Sequence, residues 1–207
     1  RYSDPLTAAD NTLTFQAVVK TVAERNGLYA DFSPKPLRHQ PGNGFHINIS
    51  VKGGNCEDPL SHMIAGILAH ISELTVFLNP TVASYERFGG PKAPEYISWS
   101  NQNRSQLIRV PAAVDAYRRA ELRSPDPTTN PYLAFALLIY AGLDGIQQKL
   151  PLPAPTDLNL FTASADILAG LQRLPLTLRE AATLAANNSF VSQYLPKTIV
   201  QTYYNQR

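Results

Sequence analysis

Two short stretches constrain this chain more than anything else in it. In "GNGFHINIS" (42–50), Phe45, Ile47 and Ile49 alternate with His46, Asn48 and Ser50. In "RRAELRS" (118–124), Ala120 and Leu122 alternate with Arg119, Glu121 and Arg123. A strand sends successive side chains to opposite faces, so each stretch has an apolar backing and a polar stripe. Such strands need a core on one side and water or a ligand on the other. The chain must therefore supply helices to cover the apolar face. The strand 45–51 is expected to be one element of that sheet, with "YISWS" (96–100) and "SQLIRVP" (105–111) as further short strands around "NQN".

The helices are legible from their caps. Asp10 is placed to cap a helix over 11–26, with Leu13, Val18, Val19 and Val22 turned inward and Gly27 ending it. Residues 60–78, "LSHMIAGILAHISELTVFL", read as a long helix stopped at Asn79-Pro80. Asn130 caps another, with Pro131 in its first turn, running to about residue 149. Prolines 34 and 36 keep "FSPKPL" extended, "SYERFGGPKAPEY" is a loop, and "LPLPAP" reads as a linker before a helical tail, where Thr177 and Glu180 have capping-box spacing. Helices flank the strands without alternating with them, which predicts an α+β fold with a mainly antiparallel sheet.

Composition narrows the class. The chain has 207 residues, 44% hydrophobic, enough for one domain with a real core. A formal charge of +2 gives no reason to expect nucleic acid or an anionic membrane as partner. The apolar run "PYLAFALLIYAGL" meets Asp144 before it can span a bilayer. One cysteine, Cys56, forbids an internal disulfide and suits a reducing cytoplasm. The first residue is Arg1, which suggests a piece of something longer.

Set side by side, the two polar stripes would bring an imidazole and a carboxylate to one surface, a start on a divalent-metal site that two ligands cannot complete. Six arginines (87, 104, 109, 118, 119 and 123) fall between residues 87 and 123 against three acids, Glu95, Asp115 and Glu121. Guanidinium forks match phosphate and carboxylate oxygens, so the cluster points to phosphoryl chemistry. The plainer reading is the wet side of a half-exposed sheet with surface ion pairs. His39, His62 and His70 read as ordinary structural residues, the last two on the 60–78 helix with no acidic partner at useful spacing; Glu73 and Glu86 read as solvated, and Trp99 and the tyrosines as core or interface residues.

These segments resemble the C-terminal part of the glutamine synthetase catalytic domain. "PKPL…PGNGFHINIS" resembles the family's metal- and nucleotide-binding segment, and "NPTVASYERFGG…AP" its flap-bearing loop. "NRSQLIRVP" and "RAELRSPDPTTNPYLAFALLIYAGLDGI" resemble its two arginine motifs and the following helix. The resemblance implies a curved antiparallel sheet backed by helices, here incomplete, with 1–207 the C-terminal portion of that domain. It implies ATP-dependent ligation of ammonia to the side-chain carboxylate of glutamate through an acyl phosphate, with Mg²⁺ or Mn²⁺ as metal and a ring-shaped homo-oligomer as the whole protein. His46 and Glu121 would then ligate metal, and Asn48, Ser50, Arg104, Arg109 and Arg119 would contact ATP. Gly42, Arg87 and Arg123 would hold glutamate. Arg104, Arg109 and Arg123 would also serve the reaction itself.

The sequence departs from the family pattern in places. The family's loop carries a glutamate that closes over the site and takes a proton from ammonium; Lys92 stands there, and Glu95 lies three residues on as the candidate replacement. Pro41 stands where a glutamate-binding Asn is common, with Asn43 as a substitute, and Ala116 where a nucleotide-contacting Lys is common. The family's other metal-binding carboxylates and its N-terminal domain lie upstream of this stretch. The competing readings are a family member using another amine, a non-catalytic nucleotide-binding homologue, and a guanidino-type phosphotransferase with an arginine-lined sheet.

Overall fold

The computed structural model describes residues 2–52, 55–90, 92–113 and 117–205. Among them four strands form one sheet in the order β1 (Ile47–Ile49), β4 (Ala120–Leu122), β3 (Ile108–Val110), β2 (Trp99–Asn101). β1/β4 and β4/β3 are antiparallel, as expected, whereas β3/β2 is parallel. The alternating stretch 45–51 shortens to β1 at 47–49, while Phe45 N–H donates to the Pro125 carbonyl.

The apolar face of the sheet (Ile47, Ile108, Ala120, Leu122) meets α2 (Pro59–Leu78) and α4 (Pro131–Gln147) in one core. Both helices begin as the sequence requires. Asp58 caps α2 and Asn130 caps α4, each with a proline at the first turn where a missing N–H costs nothing. α2 is long and apolar enough to cross a bilayer by length and composition, but 67% of its apolar window is buried inside the fold.

α2 and α4 cross backbone to backbone at Gly66 and Gly145. A Cβ on Gly145 would stand 2.2 Å from the His62 carbonyl oxygen and 2.6 Å from the Gly66 nitrogen. These are rigid atoms, so the helices would have to separate. Gly145→Ala should therefore lower the unfolding free energy by at least about 1–3 kcal/mol, the usual range for overpacking. Urea denaturation measures it, and an unchanged midpoint would show that the crossing is looser than drawn.

Two elements differ from expectation. α1 (Pro5–Arg25) starts earlier, capped by Asp4, whose side chain accepts from Thr7 N–H. Asp10 instead accepts a 2.6 Å hydrogen bond from the Tyr132 hydroxyl of α4. Leu13, Val18 and Val22 of α1 are exposed, and only Ala9 is buried. The 3.6-residue period finds the stripe but cannot say what covers it. The proline-rich stretch after α4 is no free linker. Thr156 N–H donates to the Trp99 carbonyl, Trp99 Nε1–H to the Pro153 carbonyl, and the Leu158 carbonyl accepts from Asn103 and Gln106. It straps the edge of β2. The tail then packs on α2 as α6 (Leu178–Asn187) and α7 (Ser189–Tyr194), after α5 (Ala165–Ala169) and before α8 (Lys197–Tyr204). A short α3 (Val82–Tyr85) with a capping box precedes the glycine-rich loop.

Candidate functional site

The register of the sheet builds the site. Asn48 stands opposite Glu121, and Glu121 stands opposite Arg109. All three side chains therefore share the face away from α2 and α4. Glu121 is buried at 8% exposure, and its Oε2 accepts from Arg109 Nε at 2.7 Å and Arg123 Nη1 at 2.8 Å. Its other oxygen, Oε1, lies 3.6 Å from His46 Nδ1. Arg119 Nε donates to Asn48 Oδ1 at 3.1 Å. One carboxylate thus ties two guanidiniums on one side and faces an imidazole on the other.

The electrostatics keep both groups in the form that binds a cation. Burial alone would raise the Glu121 pKa, but the bonds to Arg109 and Arg123 outweigh it and hold the carboxyl below its usual value. Burial, and then the Arg123 charge, push the His46 imidazole below its usual value against the pull of Glu121. At neutral pH His46 is neutral, so a ring nitrogen has a lone pair to offer. His46 and Oε1 of Glu121 are the two donors on this face that fit a divalent metal. Among the described residues no group of three or more His, Cys, Asp or Glu is arranged to hold a metal ion.

The remaining expected residues fall in different places. Gly42 presses on Arg87: a Cβ there would stand 2.5 Å from the Pro34 carbonyl oxygen and 2.7 Å from Arg87 Cγ. The Arg87 guanidinium is turned into the interior, near enough to His46 for its charge to help lower the imidazole pKa. It is 3% exposed and donates to the Ser124 and Pro125 carbonyls and to Asn79 Oδ1, with Asp126 Oδ2 at 3.3 Å. Arg104 is exposed in the turn before β3, and its carbonyl accepts from Arg123 Nε. Ser50 is exposed and, with Asn48, Ile47, Phe135 and Tyr2, lines a hollow of about 150 Å³ beside the polar row. Glu95 is not at His46: its Oε1 lies 3.5 Å from Arg173 Nη2, and its carboxylate packs against Gly89. Lys92 lines a small cleft with Gly42, Gly44 and Arg87, its backbone close enough to the His46 ring to pull that pKa upward. Asn43 donates its amide to the carbonyls of Asp31 and Ser33 and so pins the preceding strand-like segment. Asp115 and Ala116 lie outside the described residues.

Sequence reasoning missed Asp126 and Tyr2. Asp126 carries the counter-charge of Arg87 in the interior; the one hint was an acid set between prolines in an arginine-rich region. Removing one partner of a buried pair strands the other, so Arg87→Ala should cost about 3–5 kcal/mol. Chemical denaturation reads this, and a cost under about 1 kcal/mol would mean that Asp126 finds water or another donor.

The family model described as glutamine synthetase, catalytic domain, matches residues 1–207. The glutamine synthetase of Methanosarcina mazei is 44% identical over 218 residues, covering 98% of this chain and 49% of that protein. That of Pyrococcus abyssi is 46% identical over 193 residues, covering 87% and 44%. A solved GmaS/ADP complex superposes with a TM-score of 0.87 at 31% identity, covering 99% of this chain and 50% of that one. Ligand-free GmaS gives 0.86. The chain spans about half the length of the relatives it matches.

Proposed function

The chain belongs to the glutamine synthetase family, and we propose that it forms the C-terminal half of an enzyme that joins an amine to the side-chain carboxylate of glutamate at the expense of ATP. The observation that carries this reading is Glu121, held by Arg109 and Arg123 with its free oxygen toward His46. A surface ion pair would not need two guanidiniums, one from β3 and one from the end of β4, fixed on a buried carboxylate. Family membership also weighs against the guanidino-type phosphotransferase.

In this proposal His46 and Glu121 hold one divalent cation, Mg²⁺ or Mn²⁺, which when bound offsets the charge of the ATP phosphates. Arg104, Arg109 and Arg119 surround the transferred phosphoryl group; placement and neutralisation are most of what that chemistry needs. GmaS is a relative solved with ADP, and the hollow beside Asn48 and Ser50, bordered by the exposed Tyr2 ring, suits the flat base of a nucleotide. Arg123 and the Gly42 backbone hold glutamate, with Arg87 acting beneath them: its bonds to the Ser124 and Pro125 carbonyls set the path of the chain leaving β4. The upstream half supplies the other metal ligands, and copies of the whole enzyme assemble as a ring in the cytoplasm.

A second reading, preference for an amine other than ammonia, is favoured by one observation. The loop brings the Lys92 backbone beside His46 while Glu95 is turned to Arg173. Assay of the whole enzyme with Mg²⁺, ATP, glutamate and a panel of amines decides among the readings. ADP release with γ-glutamyl amide supports the ligase, and the best amine distinguishes its two forms. Nucleotide binding without ADP release from any amine would make it a non-catalytic homologue.

A further inference from the structure

The sequence gives His70 no partner and leaves Glu73 in solvent; the structure overturns both expectations. His70, midway along α2, has Nδ1 at 2.9 Å from Glu73 Oε1 and Nε2 at 2.8 Å from Asp144 Oδ2 of α4. Glu73 is buried, and Asp144 is further fixed by Gln148 Nε2–H at 2.6 Å. The Phe190 ring of α7 lies flat on the imidazole, centroids 3.8 Å apart and planes 16° from parallel. Tyr194 meets Phe190 edge-on, and Tyr140 of α4 stacks on Tyr194 at 3.9 Å. None of these residues touches the site on the sheet.

A neutral imidazole has one N–H and one lone pair. With a carboxylate oxygen at hydrogen-bond distance from each nitrogen, the neutral ring would aim its lone pair at an anion. Only the imidazolium donates to both. Its positive ring also attracts the face of Phe190. The charged groups in contact with the ring are Glu73 from α2 and Asp144 from α4; α7 contributes Phe190, and the phenols of Tyr140 and Tyr194 lie farther along the same stack.

We propose that His70 is a protonated bridge between α2 and α4 and the catch on which α7 docks through Phe190, so that loss of its proton loosens that docking. Burial disfavours the charged ring, but the bonds to Glu73 and Asp144 together outweigh it and raise the pKa above the ordinary histidine value. The sign follows. The bridge stabilises the fold fully below the unfolded-state value and is lost as pH rises through the raised folded value. Above it, two carboxylates share a neutral ring that can satisfy one, and Phe190 loses the cation under its face.

The test is NMR titration of the histidine rings and of the Phe190 ring protons in the 207-residue chain. His70 should hold its proton to higher pH than free histidine, and Phe190 should shift with the same midpoint. Asp144→Asn and Glu73→Gln should each lower that midpoint. His70→Gln should remove the pH dependence of Phe190; if it does not fold, the Asp144→Asn titration carries the test. A His70 midpoint at or below that of free histidine, or Phe190 signals that ignore the His70 transition, would overturn the proposal.

Discussion

In the whole enzyme, Lys92→Glu should raise ammonia-dependent turnover by roughly 10²–10⁴-fold, the usual contribution of a positioned general base. The reasoning starts from charge. An amine arrives at neutral pH mostly as a cation and must lose a proton before it can attack an acyl phosphate. The loop sets the Lys92 backbone beside His46, and an ammonium on that loop repels the cation and offers no carboxylate to accept its proton. Glu95 does not replace it as the structure stands, because its carboxylate is paired with Arg173 and wedged against Gly89, whose φ of +73° turns the loop there. Product formation from ammonia, measured for both forms at saturating ATP and glutamate, checks it. A rate unchanged or lowered by the substitution would mean that Glu95 leaves Arg173 during the reaction, or that water removes the proton. In the first case Glu95→Gln should abolish what the natural loop achieves; in the second it should leave it unchanged.

Most of this site was open to reading because period-two alternation is a strong signal. His46-Asn48 and Arg119-Glu121-Arg123 read as polar faces of strands; Asn48 and Glu121 are paired across β1 and β4, with His46, Arg119 and Arg123 at the strand ends. What pairs with what was not legible. Nothing in the local pattern says that Asn48 rather than Ser50 stands opposite Glu121, or that Arg109 arrives at the same carboxylate from a third strand. Arg87 illustrates a second limit. Its residue type suggests anion binding, yet its environment, three backbone carbonyl contacts and a buried Asp126, is assembled from segments 37–39 positions away. The same holds for His70, whose second carboxylate is 74 residues distant and whose first was taken for a solvated helix residue. α1 fails in the opposite direction: its apolar stripe was correctly seen, but a stripe does not reveal whether this chain or another surface covers it.

The 207 residues alone should bind nucleotide weakly and make no amide. Glu121 has two oxygens, and Arg109 and Arg123 already occupy one of them. That leaves Oε1 and a single imidazole nitrogen, 3.6 Å apart, for a divalent ion. Mg²⁺ prefers about six oxygen-rich ligands and sheds water reluctantly, so two protein donors leave most of its shell to solvent. Without a retained ion, the triphosphate faces arginines that are partly committed elsewhere: Arg109 and Arg123 to Glu121, and Arg119 to Asn48. Only Arg104 among the expected phosphate ligands stands exposed. The fold itself should survive, because α2 and α4 bury the apolar face of the sheet within this chain. The expected result is therefore a folded protein with poor function rather than an unfolded one, and circular dichroism beside calorimetric titration separates the two. Titration with ATP and Mg²⁺ should show no tight, metal-dependent step, and a coupled assay no ADP release above background. Tight Mg²⁺-dependent binding or clear turnover by these residues would mean that the cation is held somewhere other than between His46 and Glu121.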